Sequence, residues 1–199
     1  MVDTQAQATR AEILHHAHDL FAHYGYWKTN IGDIAERSGM SPGNLYRYYR
    51  NKQAIGLASV AQYFQQVEAA MLATLADRSD PAEARIRAAL RTCVEHLVVE
   101  FERNPKLVEL AEFLCGDDEG LKILDAHVAV KRQTIAAEIR LGIQDGSLKA
   151  CDPETTAATI LMALKAFWTP MTLVLWRDQS TVLPDLEAIL DLMFDGLRT

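Results

Sequence analysis

The chain has 199 residues, of which 49% are apolar and 24% charged, the proportions of a soluble globular protein of one or two domains with a sizeable core. Its three cysteines, Cys93, Cys115 and Cys151, are far apart and odd in number, which excludes a disulfide framework and any CxxC ligand pair and fits reduced thiols in a cytoplasmic protein. The polar N-terminus has no apolar h-region, so no signal peptide is expected. The net charge is −7, unfavourable at first sight for a nucleic-acid binder. Residues 1–60, however, hold six Lys+Arg against five Asp+Glu, and residues 61–199 hold fourteen against twenty-two. The acidic excess therefore sits outside the first sixty residues. Phosphate contacts act over about a Debye length, ~10 Å, so a locally basic face suffices.

In chain order, helix signals recur and no convincing strand appears. A first helix is expected at about 9–24, with Ile13, Leu14, Ala17, Leu20, Phe21 and Tyr24 on one side and Gly25 ending it. Its four histidines, His15, His16, His18 and His23, read as a polar face, since no further ligands complete a metal set at helical spacing. Residues 28–52 read as a short helix, a Gly turn and a second short helix dense in Tyr, Asn and Arg. Thr29 or Asn30 caps the first of these, whose apolar face is Ile31, Ile34 and Ala35. Gly39 suits the left-handed position that closes a helix, and Met40 follows as an apolar plug. Ser41 caps the second helix, with Leu45 and Tyr49 inward and Pro42, Gly43, Asn44, Tyr46 and Arg47 outward. This is the order of a helix-turn-helix, whose second helix enters the major groove of DNA. Arg47, Arg50 and Lys52 supply the basic face.

A fourth helix is expected after Asn51, to about Ala76, and a fifth opens at Asp80-Pro81-x-Glu83. Asn104-Pro105 opens a helix to about Leu114. Cys115–Gly120 reads as a loop whose Asp117, Asp118 and Glu119 are solvated acids rather than a cation site. A long helix at about 121–144 is stopped by Asp145-Gly146. Asp152-Pro153 opens a helix at about 153–178, and Pro184 the last. The total is about nine helices and an all-α fold. The apolar run Ala157–Trp176 is long enough to span a bilayer. Lys165 at its middle, three threonines within it and two just before it, and the lack of a basic flank argue against that, and no membrane partner is expected. A helix apolar all round is buried on several sides. A dimer interface is accordingly expected on Leu161, Leu164, Leu186, Ile189, Leu190 and Met193. His96, among Leu90, Cys93, Val94 and Leu97, faces a core or a pocket.

No Gly-rich phosphate loop, nucleophile elbow or acid pair supports an enzyme, and no cofactor or metal is expected. The competing readings are a helical protein-binding adaptor, which would not need an outward Asn44, Tyr46 and Arg47, and a small-molecule enzyme without DNA binding.

Residues 9–60 resemble the DNA-binding domain of the tetracycline-repressor (TetR) family. The matching stretches are Ile13-Leu14, Ala17, Phe21 and Gly25, then Thr29–Ala35, then Gly39–Tyr49, then Asn51-Lys52. The remainder resembles the family only in helix count and length. The resemblance implies a helix-turn-helix domain at 1–52 and a helical ligand-binding and dimerisation domain at 53–199. It implies a homodimeric transcriptional regulator, most simply a repressor, that binds a palindromic operator and is released by a small effector. Thr29 and Asn30 would sit against a phosphate, and Ser41 would belong to the DNA-facing set. Gly43, Asn44 and Tyr46 would face bases. Tyr48 and Lys52 would bind phosphates, with Arg47 on either. Gly32 departs from members with a polar or basic side chain there, so the first helix of the pair reads little sequence. Met40 replaces a smaller residue. A surplus of large apolar side chains suggests a mostly apolar or aromatic effector lined by His96, Phe113, Phe167, Trp168 and Met171.

Overall fold

A computed structural model describes residues 2–169, 172 and 179–197. Among these are nine α-helices and no β-strand: α1 Val2–Tyr24, α2 Ile31–Arg37, α3 Pro42–Leu45, α4 Lys52–Thr74, α5 Ala82–Arg103, α6 Val108–Cys115, α7 Asp118–Gln144, α8 Pro153–Ala163 and α9 Val182–Asp195. Short 3-10 turns precede α6, at Pro105–Leu107, and follow α8, at Lys165–Trp168. The expected all-α class is what the chain adopts. No helix among the described residues is long and apolar enough to cross a membrane.

The chain divides into two compact units, residues 1–64 with 101–124, and residues 65–100 with 125–199; α4, α5 and α7 contribute residues to both. In the first unit, Ile13, Ala17, Phe21, Ile34, Ala35, Leu45 and Ile55 form the core. This is the stripe that helical spacing picks out. In the second, Ile86, Leu90 and Val94 of α5, Ile135 and Ile139 of α7, Ile160 of α8 and Leu186, Leu190 and Phe194 of α9 are buried. A charged group lies among them. Glu138 of α7 accepts from Arg78 Nη1 at 2.6 and 2.7 Å and from Arg85 Nε at 3.0 Å.

Four boundaries differ from expectation. α1 extends back to Val2, because Ala and Gln between residues 5 and 8 favour helix without an apolar stripe. α7 begins at Asp118 and not after the acidic loop. Asp117 is its cap, accepting from Glu119 and Gly120 backbone N–H groups at 3.0 Å, and the next two acids fall in a first turn that favours negative charge. α9 starts at Val182, ahead of Pro184. α8 ends at Ala163, well short of the expected 178. The chain tightens into a 3-10 turn, in which residues three apart share a side, and this brings Leu164 and Phe167 both inward. The later part of that expected helix lies largely outside the described residues.

Candidate nucleic-acid interface

The helix-turn-helix is set by local chemistry. Asn30 Oδ1 accepts from the Asp33 N–H at 3.1 Å, and Asp33 Oδ2 accepts from the Asn30 N–H at 3.0 Å, closing a capping box on α2. At the other end Gly39 has φ +67°, Met40 N–H donates to Ala35 O at 2.9 Å and Gly39 N–H to Glu36 O at 3.0 Å. That is a Schellman closure, and it turns the chain sharply into Ser41. Ser41 Oγ then accepts from the Asn44 N–H at 3.3 Å. α3 is short, and its last turn continues through Tyr46, Tyr48 and Tyr49 by backbone bonds to Pro42 and Leu45. Leu45 and Tyr49 are buried, with the Tyr49 hydroxyl 3.5 Å from Arg10 O and the Arg10 guanidinium over its ring.

The same turn leaves Pro42, Gly43, Asn44, Tyr46 and Arg47 exposed, with Tyr46 53% accessible and Tyr48 half-buried. Arg47 makes no ion pair among the described residues. Arg50 has only a loose approach to Glu119 at 3.9 Å, both side chains being largely exposed. Large polar and aromatic side chains on a short exposed turn, beside the Arg47 guanidinium and the loosely paired Arg50, can do two things chemically. They can offer hydrogen-bond partners to base edges and charge to phosphates.

Two residues expected at phosphates face inward. Thr29 is 2% exposed, and its hydroxyl donates to Gly25 O at 2.8 Å. Lys52 Nζ lies 2.9 Å from Tyr26 O, 2.9 Å from Thr29 O and 3.5 Å from Trp27 O, and 4.5 Å from the centre of the Tyr26 ring. Burial lowers its ammonium pKa, against the opposing pull of Glu109. The loop 25–30 is thus clamped by Lys52 from one side. Glu109 of α6 meets it from the other, accepting from the Trp27 N–H at 3.0 Å. Gly25, at φ +90°, allows that approach, since a Cβ there would fall 2.5 Å from the Glu109 carboxylate oxygens. Tyr26 stacks on Phe113 of α6 with ring centres 4.4 Å apart. Burial, reinforced by the charge of Asp117, pushes the Tyr26 phenol up to about 12. Sequence reasoning missed Tyr26 and Glu109, for which no spacing signal exists.

The remaining site expectations fall as follows. Phe113 belongs to the first unit, on Tyr26. Phe167 is buried in the second, and Trp168 there carries the Lys131 ammonium over its ring. His96 is exposed on α5, contrary to its expected inward position; its place on α5 lies one residue outside the stripe of Cys93, Val94 and Leu97. Met171 lies outside the described residues. Leu161, Leu164, Leu186 and Leu190 are buried within the chain itself, and Ile189 and Met193 are half-buried. The large exposed apolar residues of α8 and α9 are Met162, 71% accessible, and Leu192, 77% accessible. A cavity of about 570 Å³ in the first unit is lined by Asp19, Arg37, Arg103 and Lys106 together with Leu20, Tyr24 and Pro105, a mixed lining away from the expected effector residues.

Comparison with known proteins places this geometry. Residues 13–58 match the family described as bacterial regulatory proteins, tetR family, and residues 82–189 match the tetracyclin repressor-like C-terminal domain. The HTH-type transcriptional regulator TtgR of Pseudomonas putida is 25% identical over 98% of this chain and 93% of its own. The uncharacterised regulator YxaF of Bacillus subtilis is 34% identical over 38% of this chain, a match that spans 40% of YxaF. Among solved structures, a TetR transcription regulator from Haloarcula marismortui superposes with a TM-score of 0.77 at 18% identity, covering 97% of this chain and 100% of the other. A chain of the SmeT–triclosan complex superposes with a TM-score of 0.69 at 19% identity, covering 96% and 92%. With both of its halves matched and the larger match spanning more than half of its length, the chain belongs to the TetR family of DNA-binding, non-enzymatic transcriptional regulators.

Proposed function

We propose that the protein is a cytoplasmic repressor that binds a palindromic operator as a homodimer and is released by a small, mostly apolar or aromatic effector. The observation that carries this reading is the exposed Gly43, Asn44, Tyr46 and Arg47 surface on a turn fixed by the Ser41 cap and the Gly39 closure. Residues 1–52 act as the reading head and 53–199 as the effector and dimerisation part. Gly43, Asn44 and Tyr46 read base edges. Arg47, Tyr48 and Arg50 meet phosphates, as does Asn30 at the start of α2. Thr29 and Lys52 act by holding the 25–30 loop, consistent with their inward bonds.

The second copy packs on the outward faces of α8 and α9 around Met162 and Leu192, because large exposed apolar side chains are what a partner removes from water. The effector acts in the second unit near Phe167 and Trp168. It shifts the balance between DNA-competent and incompetent states by its differential affinity for them. The similarity to a SmeT chain solved with triclosan supports a small-molecule effector.

Selection of bound duplexes from a random pool, followed by salt titration of the winner, tests the reading. A two-fold symmetric sequence with half-sites about one helical turn apart, ~34–36 Å, is expected. Selection of no sequence, with no salt-dependent shift of duplex DNA, would reject it.

A further inference from the structure

The cavity of about 570 Å³ in the first unit is lined by none of the residues assigned above to DNA or to the effector. Its volume is that of small-molecule sites, ~300–1,000 Å³. It opens where three helices end. α1 contributes Leu20 and Tyr24, α2 its last residue Arg37, and α5 its last residue Arg103, followed by Pro105 and Lys106 of the 3-10 turn.

The charges around it do not balance. Arg37, Arg103 and Lys106 share the lining with a single carboxylate, Asp19. Asp19 approaches Arg37 and His15 only loosely, at 3.9 Å each. Lys106 Nζ donates to His23 O at 2.6 Å, a bond that fixes the ammonium in place but sets no anion against it. Arg103 makes neither an ion pair nor a hydrogen bond among the described residues. Glu36 and Glu102, the sequence neighbours of Arg37 and Arg103, are not part of the lining. One basic residue at a helix C-terminus balances the negative end of the helix dipole. Here two helix ends bring theirs to one hollow and a third cation joins them, in a chain whose net charge is −7. The rest of the lining includes apolar surface: Leu20, which rests on the core of the unit, Pro105, and the ring of Tyr24, 52% accessible.

We propose that this cavity is a second ligand site, for a small organic dianion whose negative groups meet Arg37, Arg103 and Lys106 and whose apolar body lies on Leu20, Tyr24 and Pro105. Guanidinium groups pair bidentately with carboxylate and phosphate alike, so the shared chemistry is an apolar body carrying two carboxylates or one phosphate. Three cations against one carboxylate leave a surplus of two positive charges, which a dianion neutralises and a neutral molecule does not. The site lies in the first unit and does not depend on the effector reading of the second.

The test uses the full-length protein with isophthalate, phenyl phosphate and the neutral 1,3-benzenedimethanol. Binding is followed by calorimetric titration in a phosphate-free buffer of neutral pH and constant ionic strength. At least one dianion should bind with a millimolar or lower Kd, about tenfold or more tighter than the diol. Binding of isophthalate alone identifies a carboxylate site, of phenyl phosphate alone a phosphate site, and of both a site selected by charge. The affinity should fall several-fold in Arg103→Met and in Arg37→Met and stay unchanged in Arg47→Ala, on the DNA-facing surface. Arg103 is exposed and unpaired, so Arg103→Met should melt as the wild type does and decides the matter even if Arg37→Met is less stable. No detectable binding of either dianion at millimolar concentration overturns the inference, as does equal affinity for the diol. So does an affinity that survives in Arg103→Met, or one that Arg47→Ala lowers as much, since the anion would then sit on the DNA-facing surface.

Discussion

The ammonium of Lys52 lies 2.9 Å from the carbonyl oxygen of Thr29, the residue just before the cap of α2. A basic side chain at the start of α4 is thus spent on the backbone that launches the helix-turn-helix. Lys52→Met should lower thermal stability, because three carbonyl oxygens lose a charged donor, and ~1.5–3 kcal/mol is typical for hydrogen bonds to a charged group. Operator affinity should fall with it. The slope of log affinity against log salt should stay the same, since no phosphate contact is lost. Arg47→Ala should instead make that slope shallower by ~1. A salt slope that drops in Lys52→Met as it does in Arg47→Ala would return Lys52 to the phosphate-binding set.

Base reading is expected to separate from base-independent binding. Tyr46→Ala and Asn44→Ala should each cost ~1–3 kcal/mol on the preferred operator and much less on unrelated duplex, narrowing the ratio between them. Asn44 donates its backbone N–H to Ser41, not its side chain, so the substitution leaves the α3 cap intact. Anisotropy titrations against operator and scrambled duplex give the ratio directly. An unchanged ratio in both variants would remove these side chains from base readout.

In α9, two leucines separated by one residue should behave oppositely. Leu190 is fully buried in its own chain, whereas Leu192 points outward. Leu190→Ala should destabilise the fold by ~2–5 kcal/mol, as core truncations do. Leu192→Glu should leave the melting temperature of the folded chain nearly unchanged but yield monomers by sedimentation, with operator affinity reduced. A Leu192→Glu variant that remains dimeric would move the interface away from this face of α9.

Much of this was legible because it is local. Gly25, Gly39 and Gly146 sit at positive φ where their sequence neighbours place helix ends, and Asn30, Ser41 and Asp152 cap the helices expected after them. Leu190 and Leu192 mark the limit. In a helix with Leu186, Ile189, Leu190, Leu192, Met193 and Phe194, periodicity identifies an apolar helix but not which side its own core takes. Lys131 was illegible for a related reason. His127, Lys131, Ile135 and Glu138 follow one buried stripe of α7 at helical spacing, so two ionisable residues and a carboxylate occupy core positions. The spacing signals that they are inside. Their partners Glu68, Arg85 and Trp168 lie on other helices, and no spacing within a sequence brings those together.

The Glu138 carboxylate should be the most sensitive charge in the second unit. It is held by Arg85 and Arg78, with Arg85 itself buried and also donating to the Asp80 carbonyl. Glu138→Ala leaves the Arg85 guanidinium buried without its anion, and removing one partner of a buried pair costs ~3–5 kcal/mol. Arg78→Ala should cost much less, because that side chain is 55% exposed and solvent screens it. Chemical denaturation of the two variants gives both values, and equal losses would contradict the buried-pair account.

His127 sets a pH dependence of definite sign. Its pKa in the folded protein is pushed down to about 4, from an ordinary 6.5. Between those values the unfolded chain binds a proton that the folded chain does not, so stability rises with pH across the window and falls as pH drops from 6.5 toward 4. Carboxylates titrate in the lower part of the same range, so the comparison must be internal. His127→Gln removes the titrating group and keeps a donor toward Glu68. The difference in unfolding free energy between wild type and His127→Gln should shift in favour of the variant as pH falls from 7 to 4.5, by ~1.4 kcal/mol for each pKa unit of depression expressed in that interval. A difference that stays flat over this range would mean that His127 is not held in its neutral form.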